Sequence, residues 1–195
     1  MKSTLFFLCA FFWANMVYSQ TTTYTITANG HTIGELYVSK SHPEDYTQVS
    51  VVSDVKVKLF ISVAIKYKLN ATYKNNELLN SAVTVYVKGK LHSSITTTKT
   101  GDYYTIVEDG HSSQYLHKIT YSSALLFIKE PKGVSSVYSD FGGEPKPLTK
   151  IGLRTYELLN PGSGRTETYE YLPDGSLQKA TIRHSLLTFE LTQKK

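Results

Sequence analysis

From Val55 to Leu69 every odd-numbered residue is apolar: Val55, Val57, Leu59, Ile61, Val63, Ile65, Tyr67 and Leu69. The even positions hold Lys56, Lys58, Phe60, Ser62, Ala64, Lys66 and Lys68. Side chains alternate faces along a strand, so a period of two sustained over this span points to β structure and away from helix. As one strand, at ~3.3 Å per residue, it would extend roughly 50 Å, well beyond the usual length. A strand that long must coil, bend at a bulge or wrap around something. Its lysines face water at each end. Phe60, Ser62 and Ala64 make the middle of that face less polar, so part of it is expected to be covered.

The remainder of the chain is also β. Tyr24, Ile26 and Ala28 alternate with polar residues, Asn29-Gly30 follows, and Leu36 and Val38 alternate in turn. An Asn-Gly pair supplies two residues that tolerate positive φ, so these runs predict a hairpin. Val83, Val85 and Val87 alternate up to Gly89, which reads as a bulge or bend. Tyr103 to Val107 leads into a turn at Glu108-Asp109-Gly110, and Tyr115 to Tyr121 is expected to continue the return strand. Ser122 to Ile128 fits a strand or a single helical turn. The Gly- and Pro-rich stretch 130–150 predicts the longest loop region. Tyr156 to Leu158, Thr168 to Leu172, Leu177 to Arg183 and Leu187 to Thr192 read as strands, with Pro173-Asp174-Gly175 as a tight turn. No stretch keeps a helical period over three turns. About ten strands joined by short turns predict an all-β antiparallel meander, and the hazard of open edges argues for strong curvature into a barrel or half-barrel.

The first residues point outward from the cell interior. Met1-Lys2-Ser3 precedes an apolar run from Thr4 to Val17, and Val17-Tyr18-Ser19 fits a peptidase site. Residues 1–19 are therefore expected to be a signal peptide and 20–195 a single all-β domain. The run is shorter than the roughly 20 apolar residues of a membrane anchor. The lone Cys9 lies inside it, so the mature chain would enter an oxidising compartment without disulfides and rely on its core. The net charge of +5 comes from 21 basic against 16 acidic residues, and loss of Lys2 would leave +4. The basic residues include just Arg154, Arg165 and Arg183 as arginines, and the lysines are spread along strands. Nucleic acid, which is read largely through arginine, is not the expected partner.

Catalytic and metal patterns lack their required context. His31, His42, His92, His111, His117 and His184 include no His-x-His pair for a strand-borne zinc site. Asp140-Phe141-Gly142 matches a kinase tripeptide without the other kinase segments. Gly162-Ser163-Gly164 has Pro161 where a nucleophile elbow needs glycine. Glu44 with Asp45, Glu108 with Asp109, and Glu167 with Glu170 are candidate acid pairs, but two hydrolytic carboxyls must flank one cleft. The fifteen tyrosines, among them Tyr103, Tyr104, Tyr115, Tyr121, Tyr156, Tyr169 and Tyr171, would pack a sheet or line a cavity. Asn70-Ala71-Thr72 fits a glycosylation acceptor. No catalytic, cofactor-binding or metal-binding residue is singled out, and ligand-binding residues stay open.

Several segments together resemble a known family: Phe127 to Gly133, Val137-Tyr138-Ser139-Asp140 with Gly142 and Gly143, Tyr169-Glu170-Tyr171, Asp174 to Leu177, and the Tyr24 to Val38 hairpin with Gly30 and Gly34. They resemble exported bacterial proteins grouped as domain of unknown function 6134. Asp140 stands where the family pattern leads one to expect Glu. The resemblance implies a periplasmic or secreted location and a curved β-sheet, and implies no activity.

The expected function is non-enzymatic binding of an apolar or amphipathic ligand, such as a lipid, by the curved sheet, with no cofactor. Alternatives are an interaction or structural module of the cell envelope, with its protein partner open, and a glycan hydrolase. No transmembrane segment is expected after signal cleavage. A transmembrane barrel is disfavoured by the Lys-rich alternation.

Overall fold

The computed structural model of the protein describes residues 19–58, 62–183 and 187–194. Most of the expected signal peptide, Leu59, Phe60, Ile61 and His184 lie outside the described residues. The first eight strands are β1 (Ser19–Ala28), β2 (His31–Ser41), β3 (Tyr46–Lys58), β4 (Ser62–Lys74), β5 (Glu77–Val87), β6 (Lys90–Thr100), β7 (Tyr103–Glu108) and β8 (His111–Tyr115). A single helical turn, α1 (Ser123–Leu126), follows. The chain then forms β9 (Ser136–Ser139), β10 (Glu144–Lys150), β11 (Thr155–Asn160), β12 (Arg165–Tyr171), β13 (Leu177–Arg183) and β14 (Thr188–Gln193).

All fourteen strands join one antiparallel sheet in the order β8 to β1, then β14 to β9. Every neighbour is also a neighbour in sequence except β1 and β14, which pair from Tyr24↔Gln193 to Ala28↔Phe189. The expected all-β antiparallel meander is present, with fourteen strands among the described residues in place of about ten. The backbone ladder does not close, because β8 and β9 remain as edges. The sheet nevertheless curves until those edges meet through side chains. The Tyr138 ring of β9 lies 5.3 Å from that of Tyr115 on β8, and the Tyr138 hydroxyl is 2.9 Å from Thr97 Oγ1 on β6.

The long alternating run is not one strand. It is divided between β3 and β4, which pair as a hairpin with Val55↔Ile65 and Val57↔Val63 in register. Paired residue numbers here sum to an even value, so odd residues on both strands share the inner face. The period of two therefore passes through the reversal unbroken, and periodicity alone cannot reveal it. The facing follows the alternation: Val55, Val57 and Leu69 are buried while Lys56, Lys66 and Lys68 are exposed.

Turn chemistry explains the expected hairpins. Asn29 and Gly30 take φ of 50° and 76° and join β1 to β2, and residues 172–176 join β12 to β13. Gly89 belongs to the β5–β6 turn and not to a bulge within a strand. Two other expectations are corrected. The return strand ends at Tyr115, and residues 116–121 leave the sheet. The stretch 130–150 contains β9 and β10. Between β2 and β3 the backbones approach so closely at Gly34↔Val55 that a Cβ on Gly34 would lie 2.3 Å from the Asp54 carbonyl oxygen.

The segment that leaves the sheet fills the interior. Ile119, Tyr121, Ser122, Ala124 and Leu126 are buried, and the Leu78 N–H donates to the Ile119 carbonyl across 2.9 Å. A polypeptide crossing an apolar interior carries carbonyls that need donors. Two tyrosines of the sheet and one of the segment itself supply them. Tyr171 donates to Leu126 O at 2.8 Å, Tyr24 reaches Phe127 O at 3.5 Å while donating to Leu177 O at 3.1 Å, and Tyr121 donates to Lys129 O. An aromatic body with a polar tip serves both packing and satisfaction, which accounts for the choice of tyrosine over phenylalanine at these inner positions.

Candidate functional site

The loop after β9 sends Asp140 into the interior beside α1, where it is completely buried. Asp140 Oδ2 accepts from Ser122 Oγ at 2.6 Å, Ser123 Oγ at 2.8 Å and the Ala124 N–H at 2.9 Å. Ser122 is also joined to the Tyr73 hydroxyl at 2.6 Å. Burial pushes the Asp140 carboxyl above its ordinary value, opposed by Ser122, Ser81, Ala124 and Ser123. Asp140 Oδ1 and Ser81 Oγ each lack a geometrically complete hydrogen bond. Asp140 and Ser122 have no solvent exposure, and Ser123 alone of the hydroxyls on Oδ2 is partly exposed. Its role is to seat the inserted segment against β4 and β9.

A second acid, Glu130, ends the segment. Its Oε1 accepts from the Tyr156 hydroxyl at 2.9 Å, and Lys132 Nζ lies 3.4 Å from Oε2. Burial raises its pKa, but Tyr156, Lys132 and Arg154 outweigh that and hold it below the ordinary range. Glu77 meets Lys99 at 2.8 Å and Lys118 at 3.2 Å, so it pins the segment's entry to β5 and β6.

The other end of the sheet differs. Ile65, Tyr67, Ile182 and Phe189 belong to the inward-facing set yet are only partly buried. Ala28, Phe189, Ile182 and Glu167 follow one another across β1, β14, β13 and β12. Glu167 therefore faces inward among apolar neighbours and accepts from Tyr169 at 2.5 Å. The result is an apolar rim, with one carboxylate, at the end carrying the β1–β2, β5–β6 and β7–β8 turns.

On the outer face of this end the register gathers residues distant in sequence. Asp54 and Tyr86 lie directly opposite Lys66 on its two sides, and Lys56 lies opposite Ala64. The Lys88 N–H binds the Ala64 carbonyl at 2.8 Å. A groove of about 360 Å³ is lined by Asp54, Ala64, Ile65, Lys66, Lys68, Tyr86 and Gly89. Lysines that are spread along the sequence thus converge, because antiparallel pairing stacks alternate positions of β3 and β4 side by side. A second groove of about 240 Å³, of mixed polarity and lined in part by His42, Tyr73, Asn75, Asn76, Tyr121 and Lys129, lies at the opposite end.

The remaining candidates are dispersed. Among the described residues no three His, Cys, Asp or Glu side chains are grouped to hold a metal. His31, His42, His92 and His111 sit at turns or strand ends, and His117 packs on Tyr115 at 5.5 Å. Glu44, with φ of 51°, and Asp45 occupy the β2–β3 turn. Asp109, beside Glu108, accepts from the Ser94 N–H at 2.7 Å. Glu167 and Glu170 differ by an odd number along β12 and face opposite sides of the sheet, so they form no catalytic pair. Gly162-Ser163-Gly164 makes the β11–β12 turn. Asn70 is exposed on β4. Of the singled-out tyrosines, Tyr104, Tyr121, Tyr156, Tyr169 and Tyr171 are buried and Tyr103 and Tyr115 are half-buried. They pack the interior, and Tyr121 also lines the second groove.

Nearly the whole described chain, residues 24–194, matches one family. The chain belongs to the DUF6134 family, a domain of unknown function. This DUF6134 chain also resembles a solved structure, the β-barrel-like protein of domain of unknown function DUF1849 from Brucella abortus. The TM-score is 0.58 at 8% identity, covering 92% of this chain and 97% of that one. At that identity the likeness concerns the fold. No curated protein matches the DUF6134 chain. Among its described residues no helix is long and apolar enough to cross a membrane.

Proposed function

We propose that the protein is exported by a signal peptide over residues 1–19, and that the domain 20–195 acts in the periplasm or outside the cell. It binds an apolar or amphipathic ligand, without catalysis, at the open end of the curved sheet. The observation that carries this reading is the partly buried set Ile65, Tyr67, Ile182 and Phe189 on the inner face. Apolar side chains left half in water form a surface that gains free energy when covered, at about 25 cal/mol per Å². Glu167 beside them would face the polar part of an amphiphile.

Native mass spectrometry of the mature protein, purified gently from its own host, tests this. A lipid or other amphiphile released on denaturation is expected, and Phe189→Arg should abolish its retention while leaving the fold intact by circular dichroism. An apo mass, together with no uptake of an apolar fluorescent probe, would overturn the reading.

The second reading, an interaction module of the cell envelope, is favoured by the filled interior around Asp140 and Leu126, which leaves the outer surface as the working part. The pairing of Glu167 with Glu170 that hydrolysis of a glycan would use is removed by their opposite facing.

A further inference from the structure

We propose that the outer face of β3, β4 and β5 at the open end is a docking surface for an anionic phospholipid bilayer. It carries Lys56, Lys66 and Lys68, with Lys88 in the adjoining β5–β6 turn, all exposed, and Asp54 as the acid among them. The neighbouring acid across the sheet, Glu35, is already taken by Lys194. Several lysines elsewhere are paired with acids: Lys99 and Lys118 with Glu77, Lys132 with Glu130, Lys179 with Glu190. Among the described residues none of the four docking lysines makes such a pair. Lys66 and Lys68 line a groove of about 360 Å³, and four lysines against one acid make this face complementary to phosphate.

Two features favour a bilayer over a soluble polyanion. The charges are lysines, which contact phosphates as mobile points and whose long stems suit an interface. An apolar and an aromatic residue accompany them: Leu91 is 57% exposed and pairs with Tyr86, whose ring lines the groove. Lysine with tyrosine and an exposed leucine is the composition of a surface lying at the headgroup level. The same end carries the apolar rim, so docking would present that rim to the bilayer. The docking surface goes beyond the ligand reading and stands without it.

The test is co-sedimentation of the mature chain with vesicles of phosphatidylcholine alone and with about one-third phosphatidylglycerol. Binding is expected with the anionic vesicles, declining at high salt. Each lysine near such a surface strengthens binding about five-fold, so Lys66→Glu with Lys68→Glu should weaken it by roughly 25-fold or more. Lys150→Glu, an exposed change on β10 away from this face, should match the unaltered protein. All three are checked for folding by circular dichroism. Equal binding to neutral vesicles, no binding to anionic ones, or an unchanged Lys66→Glu/Lys68→Glu variant would overturn the proposal. So would retention on heparin without vesicle binding, which would assign the face to a soluble polyanion. Probe uptake at the rim is read separately on the same variants, so loss of one property leaves the other interpretable.

Discussion

The Tyr171 hydroxyl of β12 donates to the Leu126 carbonyl of α1 across 2.8 Å, within the curve of the sheet. Removing that hydroxyl leaves a buried carbonyl without its donor. Tyr171→Phe should therefore cost about 1–3 kcal/mol, more than a surface hydroxyl is worth. Urea denaturation should show a lower midpoint with an unchanged slope.

Asp140 predicts an unusual pH dependence. Its folded pKa is raised from 3.8, so the folded state holds the proton more tightly than the unfolded chain. Its contribution is complete below 3.8 and is lost as pH rises through the folded value. An amide in its place does not titrate and could donate to Ser81. Asp140→Asn should therefore become more stable relative to the unaltered protein as pH rises from about 4 towards neutrality. Thermal melts across that range check the sign.

Glu77 has the opposite sign. Lys99, then Lys118 and Tyr104, hold its pKa below 4.5 against a smaller effect of burial. The stability it contributes is present above 4.5 and is lost as pH falls through the lowered value. Glu77→Gln should cost about 1 kcal/mol at neutral pH, less at high salt, and little in acid. Melting with and without added salt separates these conditions.

Gly34→Ala tests the close approach of β2 to β3. Its Cβ would press on the Asp54 carbonyl, an immovable backbone group, and overpacking of this kind costs about 3 kcal/mol. Gly30→Ala meets no atom within 4 Å and should cost less, through positive φ alone. The ranking of the two by denaturation is the readout.

Much of the fold was legible because its signals are local. Asn29-Gly30 and Pro173-Asp174-Gly175 announce their own reversals, and alternation identifies the inner face from Tyr24 to Leu191. The β3–β4 reversal was hidden by parity, as Val55↔Ile65 shows. β10 was hidden by Pro145 and Pro147. Those residues pair with Tyr138 and Ser136 on one side, while the ladder to β11 begins at Leu148, so the missing N–H groups disrupt no second ladder. Asp140 was legible only as a letter in a chance tripeptide. Its burial arises where residues 122–124 meet 139–140, a contact that no local pattern encodes. The lysine face was missed for the same reason: register sets Lys56 and Lys66 on one face of adjacent strands, and the Lys88 N–H bond to Ala64 brings the β5–β6 turn beside them.

The pairing of β1 with β14 means that the described chain starts and finishes in the middle of its sheet, while both edges are made halfway along it. Each run, β1–β8 and β9–β14, is by itself a sequence of adjacent hairpins. One backbone ladder, from Tyr24 to Ala28 on β1, pairs the two runs, and Tyr138 joins them again through its side chain. The protein is thus a ready-made bipartite molecule. Severed between Tyr115 and Ile119, its two fragments should remain separate until mixed and then reassemble along that ladder and around the inserted segment, a design suited to a complementation reporter.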